Sequence, residues 1–136
     1  MNPARRGGAE RIAVLDYQAG NLKSVENALS RLGARHIVTS DPEEILGASR
    51  LIFPGDGEAA ATMAVLTRTG LDQAIREFHQ SGKPMLGICI GCQVIFDSSA
   101  ERSTACLGLV EGTVVRFPAV PGVKVPHMGW NEVSFR

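Results

Sequence analysis

A chain of 136 residues is long enough for one domain with a buried core. Hydrophobic residues make up 44% and charged residues 21%, and the formal net charge is zero. This balance lacks the basic excess of proteins that bind nucleic acid or anionic membranes. No apolar run approaches the length of a membrane span, and the N-terminus has no apolar signal core. We therefore expect a cytoplasmic protein with a disordered leader over residues 1–10 and one domain over residues 11–136. Three cysteines without a framework spacing fit a reducing compartment.

Strands and helices alternate in the first two thirds of the chain. Short apolar runs predict four buried strands, at Arg11–Asp16, His36–Thr39, Arg50–Phe53 and Pro84–Ile88. Helical spacing, capping residues and glycine stops predict the intervening helices. These begin at Leu22 and after Asp41, and continue over Glu58–Leu66, Leu71–Gln80 and Gln93–Phe96. The alternation predicts an α/β fold of three layers, with a mostly parallel sheet and helices on both faces.

The pattern changes after Ala105. Residues Gly108–Phe117 and Glu132–Phe135 are predicted to be extended, and a segment rich in Pro and Gly separates them. Three loops follow predicted strands of the parallel sheet, at Tyr17–Asn21, Pro54–Glu58 and Cys89–Gln93. Because ligands bind at the carboxyl ends of parallel strands, we expect these loops to meet at one edge.

Cys89 is the principal candidate for chemistry. It lies between a predicted strand and a predicted helix in the run GICIGCQ, whose glycines suit a nucleophile elbow. A helix N-terminus beside the sulfur favours the reactive thiolate. Two alternatives stay open: a buried structural cysteine, and a redox pair with Cys92, which has CxxC spacing. In an elbow, Cys92 is expected to face the core.

Other patterns are weaker. The run Gly55–Ala60 resembles a dinucleotide-binding GxGxxA, but it follows the third predicted strand and lacks the acidic partner. A turn that aims N–H groups at a neighbouring site explains its glycines better. The histidines His36, His79 and His127 lack metal-ligand spacing, so no metal is predicted. His127 either serves Cys89 as a base or packs at an interface.

Longer segments resemble one family. They match in family order and cover most of the chain: IAVLDYQAGNLKSVENAL (12–29), TSDPEEI (39–45), LIFPGDGEAAATM (51–63), GKPMLGICIGCQVIF (82–96), LGLVEGTVVRF (107–117) and KVPHMGWNEV (124–133). The chain resembles the glutamine amidotransferase subunits of imidazole glycerol phosphate synthase, which are class I, triad-type amidotransferases. The DYxAGNL and VPHMGWN patterns distinguish these subunits from other class I amidotransferases.

The resemblance implies a flavodoxin-like fold and a glutaminase without a cofactor. Glutamine is hydrolysed to glutamate and ammonia, and the ammonia passes to a cyclase subunit, a (βα)8 barrel, in histidine biosynthesis. By position, Cys89 matches the nucleophile, the N–H of Ile90 matches an oxyanion donor, and Gly57 lies near the second donor. Gln93 matches the residue that faces bound glutamine.

The resemblance also places the segment with His127, Trp130 and Asn131 toward the cyclase subunit, so that His127 is not the base. Two positions depart from the family pattern. Gln18 replaces a glycine, and Asp56 lies in the oxyanion loop, where we expect its carboxylate to point to solvent.

The triad His and Glu of the family lie in an HPE motif, and no HPE occurs in these residues. The sequence therefore predicts a partial class I amidotransferase domain with negligible glutaminase activity by itself. A partner-binding module without catalysis is the main alternative, and a CxxC oxidoreductase is the less favoured one.

Overall fold

The computed structural model describes residues 10–135, so the predicted leader lies, apart from Glu10, outside the described residues. A four-stranded parallel sheet forms the centre, in the order β2-β1-β3-β4. Its strands are β1 Ile12–Leu15, β2 His36–Thr39, β3 Arg50–Phe53 and β4 Met85–Gly87. All four strands therefore match predicted strands, and the α/β fold is confirmed.

Five α-helices follow these strands in the described residues: α1 Leu22–Arg31, α2 Pro42–Gly47, α3 Ala59–Thr69, α4 Leu71–Gln80 and α5 Ile90–Gln93. Side chains close two of the N-termini. Asn21 Oδ1 accepts the Ser24 N–H at 3.2 Å, and Asp41 Oδ1 accepts the Glu43 N–H at 2.9 Å. Gly70, with φ +74°, separates α3 from α4 because a left-handed residue ends a helix.

Strand alternation decides what each face of the sheet buries. Side chains at Ala13, Leu15, Leu51 and Phe53 are buried in one core with residues of α2, α3 and α4. Right-handed crossovers place α1 on the opposite face, because the chain reverses direction across the sheet after β2. On that face Val14 is fully buried, whereas Leu86 on the edge strand β4 is 57% exposed.

A second, smaller sheet follows α5. It contains β5 Phe96–Ser99, β6 Thr104–Ala105 and β7 Val110–Val114 in the order β6-β5-β7. The prediction of a helix over Gln93–Phe96 was wrong, since α5 ends at Gln93 and Phe96 begins β5. Tertiary pairing overrides the local pattern here: the Leu107 N–H bonds to the Val94 carbonyl, both at 0% exposure.

The last described segment is exposed and irregular. Of the run predicted to be extended over Gly108–Phe117, the strand covers Val110–Val114. The run Glu132–Phe135, which is predicted to be extended, forms no strand. An extended segment becomes a strand only when a neighbour accepts and donates its backbone hydrogen bonds. Among residues 10–135, no helix has the length and hydropathy needed to cross a membrane.

Candidate active site

Three loops meet at the carboxyl edge of the parallel sheet, as the sequence predicts. The loop after β1 touches the loop after β3, because a Cβ on Gly20 would lie 3.2 Å from the Gly55 Cα. A Cβ on Gly55 would in turn clash with Tyr17 Oη and with the Ile90 side chain. The Ile88 N–H donates to the Phe53 carbonyl at 2.9 Å, which joins the third loop to the end of β3.

Cys89 occupies a strained turn between β4 and α5. Its backbone has φ +55° and ψ −119°, a region that residues with a Cβ rarely adopt, and the residue is exposed. Glycines permit the turn: a Cβ on Gly91 would clash with the Phe53 carbonyl, and one on Gly87 would lie 2.7 Å from the Cys92 Cα. The geometry is that of a nucleophile elbow and excludes a buried structural role for Cys89.

The prediction that Cys92 faces the core was wrong, because Cys92 is exposed. The short helix α5 buries Ile90 and Gly91 instead: Gly91 packs against Phe53, and the Ile90 side chain packs against Gly55. All three cysteines are free thiols. Burial raises the pKa of the third, Cys106, which is only 8% exposed.

Of the residues that the resemblance assigns to the oxyanion and the substrate, Ile90 and Gln93 lie in α5 directly after Cys89, and Gly57 lies in the loop after β3. Ile90 begins α5, where N–H groups have no acceptor within the helix. Gly57 has φ +92° and open space around it. Gln93 ends α5 and lines a cavity of about 480 Å³. The roles of these three residues remain predictions.

Glu101 is a candidate that the sequence reasoning missed. It lines the same cavity as Gln93, and its Oε2 accepts the Ala59 N–H at the start of α3 at 2.9 Å. Its neighbour Arg102 pairs with Glu58 at 3.2 Å. The contact between Glu101 and Ala59 spans 42 residues, so no local pattern signals it.

Tyr17 is a second residue that the sequence reasoning used only as a loop boundary. Its side chain is 2% exposed and meets the Phe53 ring edge to face, at 5.5 Å between centroids and 87°. Within residues 10–135 its hydroxyl has no hydrogen-bond partner. Burial raises the pKa of Tyr17 to about 12, the Thr62 side chain nearby opposes the rise, and the charges of Asp56 and Cys89 add to it.

Asp56 is exposed, as expected, and a hydrogen bond fixes its carboxylate. Its Oδ1 accepts the Gly20 N–H at 3.2 Å. The negative charge therefore lies against the loop after β1.

His127, Trp130 and Asn131 lie together in the exposed segment after β7. The His127 Nε2 and the Asn131 Nδ2 are 3.2 Å apart, and Trp130 is fully exposed. The hydrogen bond of the His127 ring is thus to Asn131 rather than to Cys89. In the described part of the chain, no three His, Cys, Asp or Glu side chains form a group able to hold a metal ion.

The fold and this site define a class: an open α/β protein with an exposed cysteine on a nucleophile elbow, the arrangement of enzymes that form thioesters. Comparison with known families identifies the class more closely. The model of the glutamine amidotransferase class-I family matches residues 13–135. The chain belongs to the class I glutamine amidotransferases, as the sequence resemblance predicts.

Several relatives share one name, imidazole glycerol phosphate synthase subunit HisH. The chain is 52% identical over 126 residues to that of Dehalococcoides mccartyi strain CBDB1, with coverage of 92% of this chain and 60% of the relative. For Geobacillus thermodenitrificans the identity is 50% over 129 residues, with coverage of 91% and 61%. The chain thus spans about 60% of the length of these curated relatives.

Solved structures agree on the fold. A crystal structure of a glutamine amidotransferase superposes with a TM-score of 0.66 at 25% identity, covering 77% of this chain and 56% of that one. A peptidase E protein from Listeria monocytogenes superposes with a TM-score of 0.58 at 19% identity, covering 74% of this chain and 63% of that one. The second likeness concerns the fold alone.

Proposed function

We propose that this chain provides the glutamine-hydrolysing site of an imidazole glycerol phosphate synthase. Cys89 Sγ attacks the side-chain carboxamide carbon of glutamine, ammonia leaves, and water then hydrolyses the thioester to glutamate. The observation that carries the proposal is the strained, exposed Cys89 at the junction of three loops in a class I amidotransferase domain.

The surrounding backbone suits the charge that develops in this reaction. The tetrahedral intermediate places a negative charge on the former carbonyl oxygen, which needs N–H donors fixed in advance. The Ile90 N–H at the start of α5 is one donor, and the Pro54–Gly57 loop supplies the other near Gly57.

The cavity beside Gln93 suits the amino-acid end of the substrate. Gln93 orients the bound glutamine, and the Glu101 carboxylate in the same cavity accepts a hydrogen bond from its α-ammonium group. We expect Glu101→Gln to weaken binding of a glutamine analogue about tenfold, because the charge-assisted hydrogen bond to the ammonium group becomes a neutral one. Glu111→Gln, an exposed change on β7, is the matched control.

Covalent labelling tests the site without requiring complete turnover. A chloroketone analogue of glutamine should modify Cys89 with saturation kinetics, and glutamine should slow the reaction. Cys92 is the internal control, since it is also a free and exposed thiol. Equal, unsaturable labelling of both thiols would overturn the proposal, and a stable Cys89–Cys92 disulfide with a measurable potential would favour an oxidoreductase instead.

The base for Cys89 is a separate question. The three histidines of the chain, His36, His79 and His127, lie at a strand start, in the last turn of α4 and in the segment after β7. No HPE occurs in the sequence. We therefore expect residues 1–136 to label at Cys89 but to show negligible glutamine turnover by themselves. Sustained release of ammonia by the purified chain would contradict this.

The relatives' name supports a partner. In this proposal a cyclase subunit receives the ammonia, in the cytoplasm and as a step of histidine biosynthesis, and it docks on the segment with His127, Trp130 and Asn131. The full exposure of Trp130 supports this assignment, because aromatic side chains anchor interfaces. Trp130→Ala should abolish co-elution with the barrel subunit, whereas Phe117→Ala, also an exposed aromatic, should not.

A further inference from the structure

One hydrogen bond joins two loops of the site across 36 residues of sequence. The Gly20 N–H in the loop after β1 donates to Asp56 Oδ1 in the loop after β3, at 3.2 Å. The two loops also touch through their backbones, since a Cβ on Gly20 would lie 3.2 Å from the Gly55 Cα. Gly20 has φ +95°, a conformation that suits glycine. The hydrogen bond to Asp56 therefore adds to a close backbone contact between Gly20 and Gly55.

The contact continues to the base of the nucleophile turn. Gly55, next to Asp56, lies directly on the Tyr17 hydroxyl and the Ile90 side chain, with no space for a Cβ. Ile90 follows Cys89 and begins α5. If the loop that contains Asp56 moved, Gly55 would move against the side chain of Ile90, the residue that follows Cys89.

The other side of Asp56 is free. Gly57 has φ +92°, and a Cβ there would meet nothing within 4 Å. The loop is consequently anchored at Gly55 and at the Asp56 side chain, while Gly57 has open space on the side where a Cβ would lie. An exposed carboxylate at this position would oppose a negative charge forming at Cys89 if it turned toward that residue. The bond to Gly20 keeps it on the neighbouring loop.

We propose that Asp56 is a positioning residue, which ties the Pro54–Gly57 loop to Gly20 and so holds the loop in the arrangement that receives substrate. This inference rests on the proposed glutaminase site, and Asp56 itself does not touch the substrate. Its role requires the acceptor oxygen more than the charge, because the donor is a neutral backbone N–H, which also donates to an amide oxygen.

Amide hydrogen exchange tests the tie independently of any chemistry. Asp56→Asn keeps an acceptor oxygen and removes the charge, whereas Asp56→Val removes both. We expect the Gly20 amide to exchange about fivefold faster in Asp56→Val and within about twofold of the parent rate in Asp56→Asn. Equal exchange at Gly20 in all three proteins overturns the proposal, whatever the labelling shows.

Labelling by the chloroketone analogue tests the consequence for the site. In Asp56→Val the maximal rate of Cys89 modification should fall about fivefold with little change in half-saturating concentration, and Asp56→Asn should restore it. Iodoacetamide, a small reagent that does not need the loop, should modify Cys89 equally in all three. A rate in Asp56→Val equal to or above that of the parent overturns the positioning role. Unsaturable labelling in every variant refutes the proposed glutamine site. The hydrogen bond between Asp56 and Gly20 is in that case tested by the amide exchange rate of Gly20 alone.

Discussion

Tyr17 offers a direct test of how the site is built, because it is the only tyrosine in the chain. Its hydroxyl is buried beneath Gly55 and has no hydrogen-bond partner in the part of the chain that the structure describes. Burial penalises the phenolate and raises the pKa of Tyr17 from 10.0 to about 12. The perturbation is therefore alkaline pH, and the matched variant is Tyr17→Phe, which keeps the ring against Phe53.

The direction in which pH changes the stability contributed by Tyr17 follows from the linkage between proton binding and folding. The folded pKa lies above the unfolded one, so the unfolded chain loses its proton first as pH rises. The favourable contribution is complete below about pH 10 and is lost as pH rises through the window from about 10 to 12. At about pH 11 the parent should have lost about 1.4 kcal/mol relative to Tyr17→Phe, and the limiting value is about 2.7 kcal/mol.

Two measurements check these values. The ultraviolet absorbance of the phenolate reports Tyr17 alone, and its midpoint should lie near 12 in the folded protein and near 10 in urea. Urea unfolding of the parent and of Tyr17→Phe should show the stability difference growing with pH, because all other titrating groups are common to both. Near neutral pH the variant should be at least as stable, since an unpaired buried hydroxyl costs about 1–3 kcal/mol. A folded midpoint near 10, or a pH-independent difference, would refute the burial argument.

Three further substitutions test the packing. Gly91→Ala should lower the free energy of unfolding in urea by about 3 kcal/mol or more, because its Cβ would clash with the Phe53 carbonyl. In the control, Gly47→Ala, the Cβ meets nothing within 4 Å, so this change should be neutral or slightly stabilising. Similar losses of stability in the two variants would contradict the close approach of Gly91 to Phe53. Asp41→Ala should lose about 1 kcal/mol with the N-cap of α2, and Asp41→Asn only a few tenths, so an equal loss in both would argue against capping. Leu86 is 57% exposed on an edge strand, so Leu86→Lys should change the free energy of unfolding by less than about 1 kcal/mol. The charge should also reduce self-association in sedimentation. A loss of stability above about 2 kcal/mol would show that the side chain is covered.

Local patterns carried much of the fold. Apolar runs placed all four strands of the parallel sheet, and capping residues such as Asp41 placed the helices between them. The local patterns were wrong where a short apolar run is compatible with either a helix or a strand. Val94–Phe96 consists of β-branched and aromatic residues, and its backbone pairs with Leu107 and Leu109. Such pairing involves partners distant in sequence, so periodicity over a few residues does not reveal it.

By itself, the sequence determined the nucleophile candidate, the three loops and the family. Glycines on both sides of Cys89 and the order of strands suffice for this, because parallel strands bring their carboxyl ends to one edge. Only the tertiary structure decided which side chains meet there. The Asp56–Gly20 hydrogen bond, the Glu101–Ala59 contact and the burial of the Tyr17 hydroxyl under Gly55 each join segments more than 30 residues apart. Cys92 shows the same limit, since its exposure depends on how α5 packs against β3, where Gly91 rather than Cys92 takes the buried position.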